Sequence, residues 1–152
     1  MRPRAFLSSL RRNEKGSALV ETALTMPVLF TLVLGAVEFT RVAYTSLELV
    51  SAARAGVSYG AETGGTAADL TGITYAAQTD AAQVSGINVS AVPSYVCSDG
   101  TASTGLNTDC SNSHIEETLT VQTSVTMDPL IHVPGLPRQY TITGSASQVC
   151  LQ

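Results

Sequence analysis

The sequence has no tryptophan, and aromatic residues make up only 5% of it. A chain so short of large side chains builds a thin core at best, because aromatic residues contribute most buried area per residue. Charge is also scarce, at 13%. It is lopsided as well. Beyond Arg54 the only Lys or Arg is Arg138, against eight acidic residues. That deficit argues against nucleic acid as a partner, since the acidic remainder repels phosphate. No Gly-x-Ser-x-Gly turn, phosphate-binding loop or metal-ligand spacing occurs. The three cysteines form no Cys-x-x-Cys pair, and neither His114 nor His132 sits at zinc-ligand spacing from two of them. Asp99-Gly100 reads as a turn. His132, between apolar residues in a Pro-rich stretch, reads as a packing residue. The chain is therefore read as not an enzyme, with no metal and no cofactor.

What is present is concentrated near the N-terminus. Five of the eight basic residues, Arg2, Arg4, Arg11, Arg12 and Lys15, fall in the first fifteen positions. An apolar run follows at once, SALVETALTMPVLFTLVLGAV over residues 17–37. Thr22 to Val37 carries no charge and spans about 24 Å as a helix; with Ser17–Glu21 it reaches about 31 Å, close to the hydrocarbon thickness of a bilayer. A basic cluster before such a run is the positive-inside flank of a membrane helix. Pro27 lies within the run, where a membrane helix tolerates it better than a water-soluble one.

Helical periodicity continues past the apolar block. Phe39, Val42, Ser46, Leu49, Val50, Ala53 and Val57 fall on one stripe. Glu38 and Arg41 make an i,i+3 pair just outside the block. Gly60, Gly64 and Gly65 supply the stop. One long helix over 17–60 is predicted, half in lipid and half in water or against a small domain. A Gly-rich turn covers 61–66 and a short, weakly packed helix 67–84, its start weakened by Gly72. Strands are predicted at 86–96, 116–127 and 139–149. The second alternates strictly, with Leu119, Val121, Thr123, Val125 and Met127 on one face. The fold class is α+β: a long N-terminal transmembrane helix, then a small domain with a short second helix and an antiparallel sheet of about three strands. The domain boundaries are a leader at 1–16, a transmembrane and stalk helix at 17–60, and a small domain at 61–152. If that domain is exported, a Cys97–Cys110 disulfide is the simplest pairing, closing a loop of about 14 residues and contributing about 3 kcal/mol. Pairing through Cys150, or three reduced thiols, stays open.

The membrane entry reads Gly16-Ser17-Ala18-Leu19-Val20-Glu21. A basic leader ends in glycine, and a carboxylate lies five residues further on. An ionised Glu21 in lipid costs about 3 kcal/mol on insertion scales. A cut after Gly16 would free an amine at Ser17, about one helical turn away, and that amine or a neighbouring subunit's could partner the carboxylate. The plainer alternative is that Glu21 lies at the interface near a helix N-terminus, where negative charge is favoured.

This arrangement resembles the class III signal of the type IV pilin superfamily, in which a membrane peptidase cuts after the glycine. The stretches Ser17–Leu24, Met26-Pro27-Val28-Leu29, Leu34–Arg41 and Ala52-Ala53-Arg54-Ala55-Gly56 together resemble the TadE-like family of tight-adherence (Tad) pilus systems. A looser similarity covers 118–148. Thr22 departs from the aromatic residue common after the glutamate, and the cysteines are outside the family signature. The resemblance implies a minor pilin or pseudopilin that serves pilus assembly and adherence. It implies cleavage between Gly16 and Ser17, and assembly through Glu21, Pro27, Glu38 and Arg41. The implied partners are other pilins and minor pilins, the prepilin peptidase, the inner-membrane assembly platform and the lipid bilayer, with no nucleic acid. The implied location is the bacterial inner membrane, single pass, with a cytoplasmic N-terminus and a periplasmic domain. Two rivals remain. One is a secreted protein cut near Leu34-Gly35-Ala36, though the apolar run is long for a signal peptide. The other is a membrane-anchored binding module unrelated to pili.

Overall fold

The computed structural model describes residues 14–106, 108–111, 113–132, 135 and 137–150. The chain divides into two compact units, Met1–Phe39 and Thr40–Gln152. One helix, α1 (Glu14–Gly60), runs from the first into the second. It begins three residues before the predicted start.

In the first unit α1 carries its apolar side chains bare. Leu19, Leu24, Phe30 and Leu32 are each more than 60% exposed. Pro27 sits inside the helix. The threonine hydroxyls are satisfied locally: Thr22 donates to the Ala18 carbonyl (2.8 Å) and Thr31 to that of Val28 (2.8 Å). A helix whose polar groups close on themselves can lie in hydrocarbon without stranded donors.

In the second unit the Thr40–Gly60 part of α1 packs with two further helices, α2 (Gly64–Ala67) and α3 (Leu70–Asp80), and with strands β1 (Asn88–Cys97), β2 (Ala102–Ser103), β3 (Ile115–Met127) and β4 (Tyr140–Val149). The sheet is antiparallel throughout, in the order β2-β1-β3-β4. Three strands are as predicted. The fourth, β2, is only two residues long and pairs with Tyr95 and Val96 inside what the sequence presents as a polar loop. Its residues, Ala102 and Ser103, carry no periodic signal, so pairing alone defines it. The Gly-rich turn is partly helical too. Thr63 and Thr66 form a reciprocal capping box that holds α2 despite Gly64 and Gly65.

β3 is the central strand. Leu119, Val121, Thr123 and Val125 face α1 and are buried, as the alternation requires. Around them lie two clusters. One joins Ala53, Val57, Ile73, Leu119, Val121 and Cys150, and the other Leu49, Ala52, Ala77, Ile87 and Val125. The small residues let α1 come very close to the sheet. At Gly144 a β-carbon would lie 2.6 Å from the Leu49 carbonyl carbon, so only glycine admits the helix backbone there. Beside it the buried Thr123 hydroxyl donates to the Leu49 carbonyl (2.8 Å). Pro93 lies on β1, opposite Leu119. Its nitrogen points to the outer edge, the direction in which Cys97, of the same parity, donates to the Thr101 carbonyl. No ladder bond is lost there. The face of the sheet away from the helix carries many hydroxyls and amides, among them Ser90, Thr120, Gln122, Thr143 and Ser147, beside exposed Val92, Val96 and Val149 and the carboxylate of Glu116, and Thr120 pairs with Ser147 across strands (3.0 Å).

Candidate assembly helix and disulfide loop

The residues expected to carry function are strung along α1. Gly16 and Arg41 are about 38 Å apart at helical rise, so they form a line and not a pocket. Residues 1–13 of the expected leader lie outside the described residues. Gly16 is helical, in the first turns of α1. A β-carbon at Gly16 would meet nothing within 4 Å. The fold therefore gives no reason for glycine at this position, although glycine costs a helix about 0.5–1 kcal/mol relative to alanine. Ser17 and Glu21 are exposed. Glu21 has no hydrogen-bond or ion-pair partner among the described residues. Its charge is left for whatever packs against the helix. Glu38 and Arg41 are half-buried. Arg41 belongs to the second unit, where its Nη1 donates to the Asp128 carbonyl at 3.4 Å.

The other predicted pair lies far along the sheet. Cys97 and Cys110 are bonded, with their Cα atoms 5.7 Å apart. Cys150 is free and buried, and burial raises its thiol pKa. The loop between Cys97 and Cys110 is tied down by two carboxylates: Asp99, at the predicted Asp99-Gly100 turn, and Asp109, which sequence reading did not single out. Asp109 accepts from the Thr104 hydroxyl (2.6 Å) and backbone N–H (2.7 Å). Asp99 accepts from the Thr101 hydroxyl (2.6 Å) and N–H (2.9 Å). In both, the threonine hydroxyl is the main cause of a carboxyl pKa below its ordinary value, and the backbone donor adds to it. The signal was available in the Asp-x-Thr spacing at 99–101, a local side-chain turn. Asp69 does similar work elsewhere, capping α3 through the Gly72 N–H (3.0 Å) and accepting from the Tyr59 hydroxyl (2.9 Å). These bonds lower the Asp69 pKa, the Gly72 N–H most, and the Asp69 carboxylate raises that of Tyr59. His132, expected to pack, is exposed.

Among the described residues no group of His, Cys, Asp and Glu is placed to hold a metal. Among the described residues one helix is long and apolar enough to cross a membrane, which fits membrane anchoring. No curated protein and no solved structure matches the chain. The family model described as TadE-like protein matches residues 16–58, the extent of the bare helix and most of its packed continuation. Over that segment the chain is similar to TadE-like proteins.

Proposed function

We propose that this chain is a minor pilin or pseudopilin of a Tad-type pilus, not an enzyme, anchored in the bacterial inner membrane by α1 and packed with other pilins through it. The observation that carries the reading is the pairing of a family match with a helix left bare. Residues 17–37 expose a continuous apolar surface with a single carboxylate, Glu21, near its start. The leader would stay in the cytoplasm, and a prepilin peptidase would cut between Gly16 and Ser17. Gly16 suits that role. It lies where α1 frays most readily, and no contact of the fold demands it. The new amine at Ser17 would partner Glu21 of its own or a neighbouring helix and set axial register in the assembly. The second unit would stand in the periplasm, where the Cys97–Cys110 bond is stable, and would meet the assembly platform and other minor pilins in pilus assembly and adherence.

Processing is tested by intact mass. Protein from cells that contain the peptidase should lack residues 1–16; an uncut leader, or a mature start near Val37, rejects the proposal. The Glu21 role is tested separately by Glu21→Gln. The variant should stay in the membrane, because glutamine is easier to bury than a charge. Surface pili and cross-links to other pilins should both fall. Normal values for both would remove the ion-pair mechanism and leave the anchor.

A further inference from the structure

The sheet of the second unit has two edges, and they are finished differently. On the β1 side the edge is closed from Pro93 onward. Pro93 has no N–H to offer, β2 pairs with Tyr95 and Val96, and the Cys97 N–H is bound to the Thr101 carbonyl. On the other side β4 stands open. It is ten residues long, about 33 Å, and holds no proline. The Cys150 N–H donates to the Glu117 carbonyl (2.7 Å), so the even-numbered residues of β4 turn their backbone groups to β3. Thr141, Thr143, Ser145, Ser147 and Val149 turn theirs outward. All five are exposed, and among the described residues none of their N–H or carbonyl groups has a hydrogen-bond partner. A bare edge templates strand addition, which proteins prevent with charge, proline or a bulge. β4 has none of these. Its register with β3 is unbroken from Tyr140 to Val149, and residues 139–149 carry no charge, nor does the Thr118–Met127 stretch beside them.

We infer that the free edge of β4 is a docking site for an extended, uncharged strand of a different polypeptide, which joins the sheet beside β4. Alternating N–H and carbonyl groups at the strand repeat are matched by another extended backbone. The added strand must be uncharged because it would lie against hydroxyls on the outer face and against Ile142, Gly144 and Ala146 on the inner one, with no counter-charge on either. On the outer face the hydroxyl pairs already made, Thr120 with Ser147 (3.0 Å) and Thr126 with Thr141 (3.3 Å), would continue onto a strand bearing Ser or Thr. The partner is a different chain because the second unit holds nine of the protein's twelve acidic residues and three of its eight basic ones, Arg41, Arg54 and Arg138, so two copies repel. Nothing in this edge depends on the leader or on Glu21, so failure of the cleavage or ion-pair tests leaves it standing.

The test places a photo-crosslinking benzoylphenylalanine at Thr143, or at Ser94 on β1 as control, in the full chain made in cells that also make its natural neighbours. Position 143 should cross-link to another protein and position 94 should not. Ser145→Pro removes an N–H that has no partner in the sheet, as Pro93 does on the far edge, so the variant should unfold in urea like the parent while the cross-link is lost. Amide exchange on the full chain in detergent needs no substitution. The N–H groups of Thr143, Ser145 and Ser147 should exchange within minutes and those of Gly144 and Ala146 persist far longer, and the first three should slow in the cross-linked complex. Absence of a cross-link at 143, a product with the mass of two copies, or a cross-link that survives Ser145→Pro each overturns the inference. So does protection of the three outward amides in the purified chain.

Discussion

Two lengths of the same helix meet opposite fates. From Gly16 to Phe39 α1 is built of Leu, Val and Phe and buries almost nothing; from Thr40 to Gly60 its buried positions include Ala52, Ala53, Gly56 and Gly60, several at 0% exposure. Apolar content alone would put the core in the wrong half. What decides is size and partner. Small residues let a sheet approach the backbone, as at Gly144 against Leu49, and each then buries its neighbours' surface. Large residues with no sheet opposite stay bare, and a bare apolar surface of this length requires another solvent, lipid or other helices.

The sharpest way to break that comparison is one leucine-to-alanine change in each half. Leu119→Ala removes a fully buried side chain beneath the packed half and should cost about 4 kcal/mol. Leu29→Ala should leave the unfolding of the second unit unchanged. Urea unfolding of the full chain in detergent, followed by the sheet signal, reads both. Equal losses would mean the two lengths form one cooperative core. A smaller effect is expected from Cys97→Ser with Cys110→Ser. Opening that loop should lower the stability of the second unit by about 3 kcal/mol and leave the helicity of the first intact. The smallest concerns pH. Asp69, Asp99 and Asp109, all in the second unit, have carboxyl pKa values below the ordinary range. A depressed folded-state value means the unfolded chain binds the proton more readily. Their contribution is therefore complete above the ordinary carboxylate value and is lost as pH falls through the depressed one. Carboxyl carbon shifts across an acid titration should show the three titrating late, with local order at Thr101 and Thr104 lost at the same pH. Ordinary titration would show that the threonine bonds are not held in solution.

Much of this was legible in the residues. Uncharged length points to the bare helix, because a helix with one face in water carries polar and charged residues on that face. Strict alternation gives β3 and its buried face, since side chains of a strand point alternately to either side. The signature of residues 16–58 needed no geometry. Other features depended on contacts between residues far apart in sequence. β2 exists only because Tyr95 and Val96 offer it an edge. Gly72, a weak helix former, stands where a β-carbon would strike the Tyr59 ring, and so a local defect is a packing requirement. Arg41 closely follows the apolar segment in the sequence, while in the fold it donates to the Asp128 carbonyl, 87 positions away within the second unit. The sequence by itself determined which length of the helix is apolar and uncharged, because hydropathy and charge are properties of single residues summed along a helix. Only the tertiary structure decided which small residues would be core and which short segment would pair as the edge strand, because those depend on the pairing of strands and the closeness of two backbones.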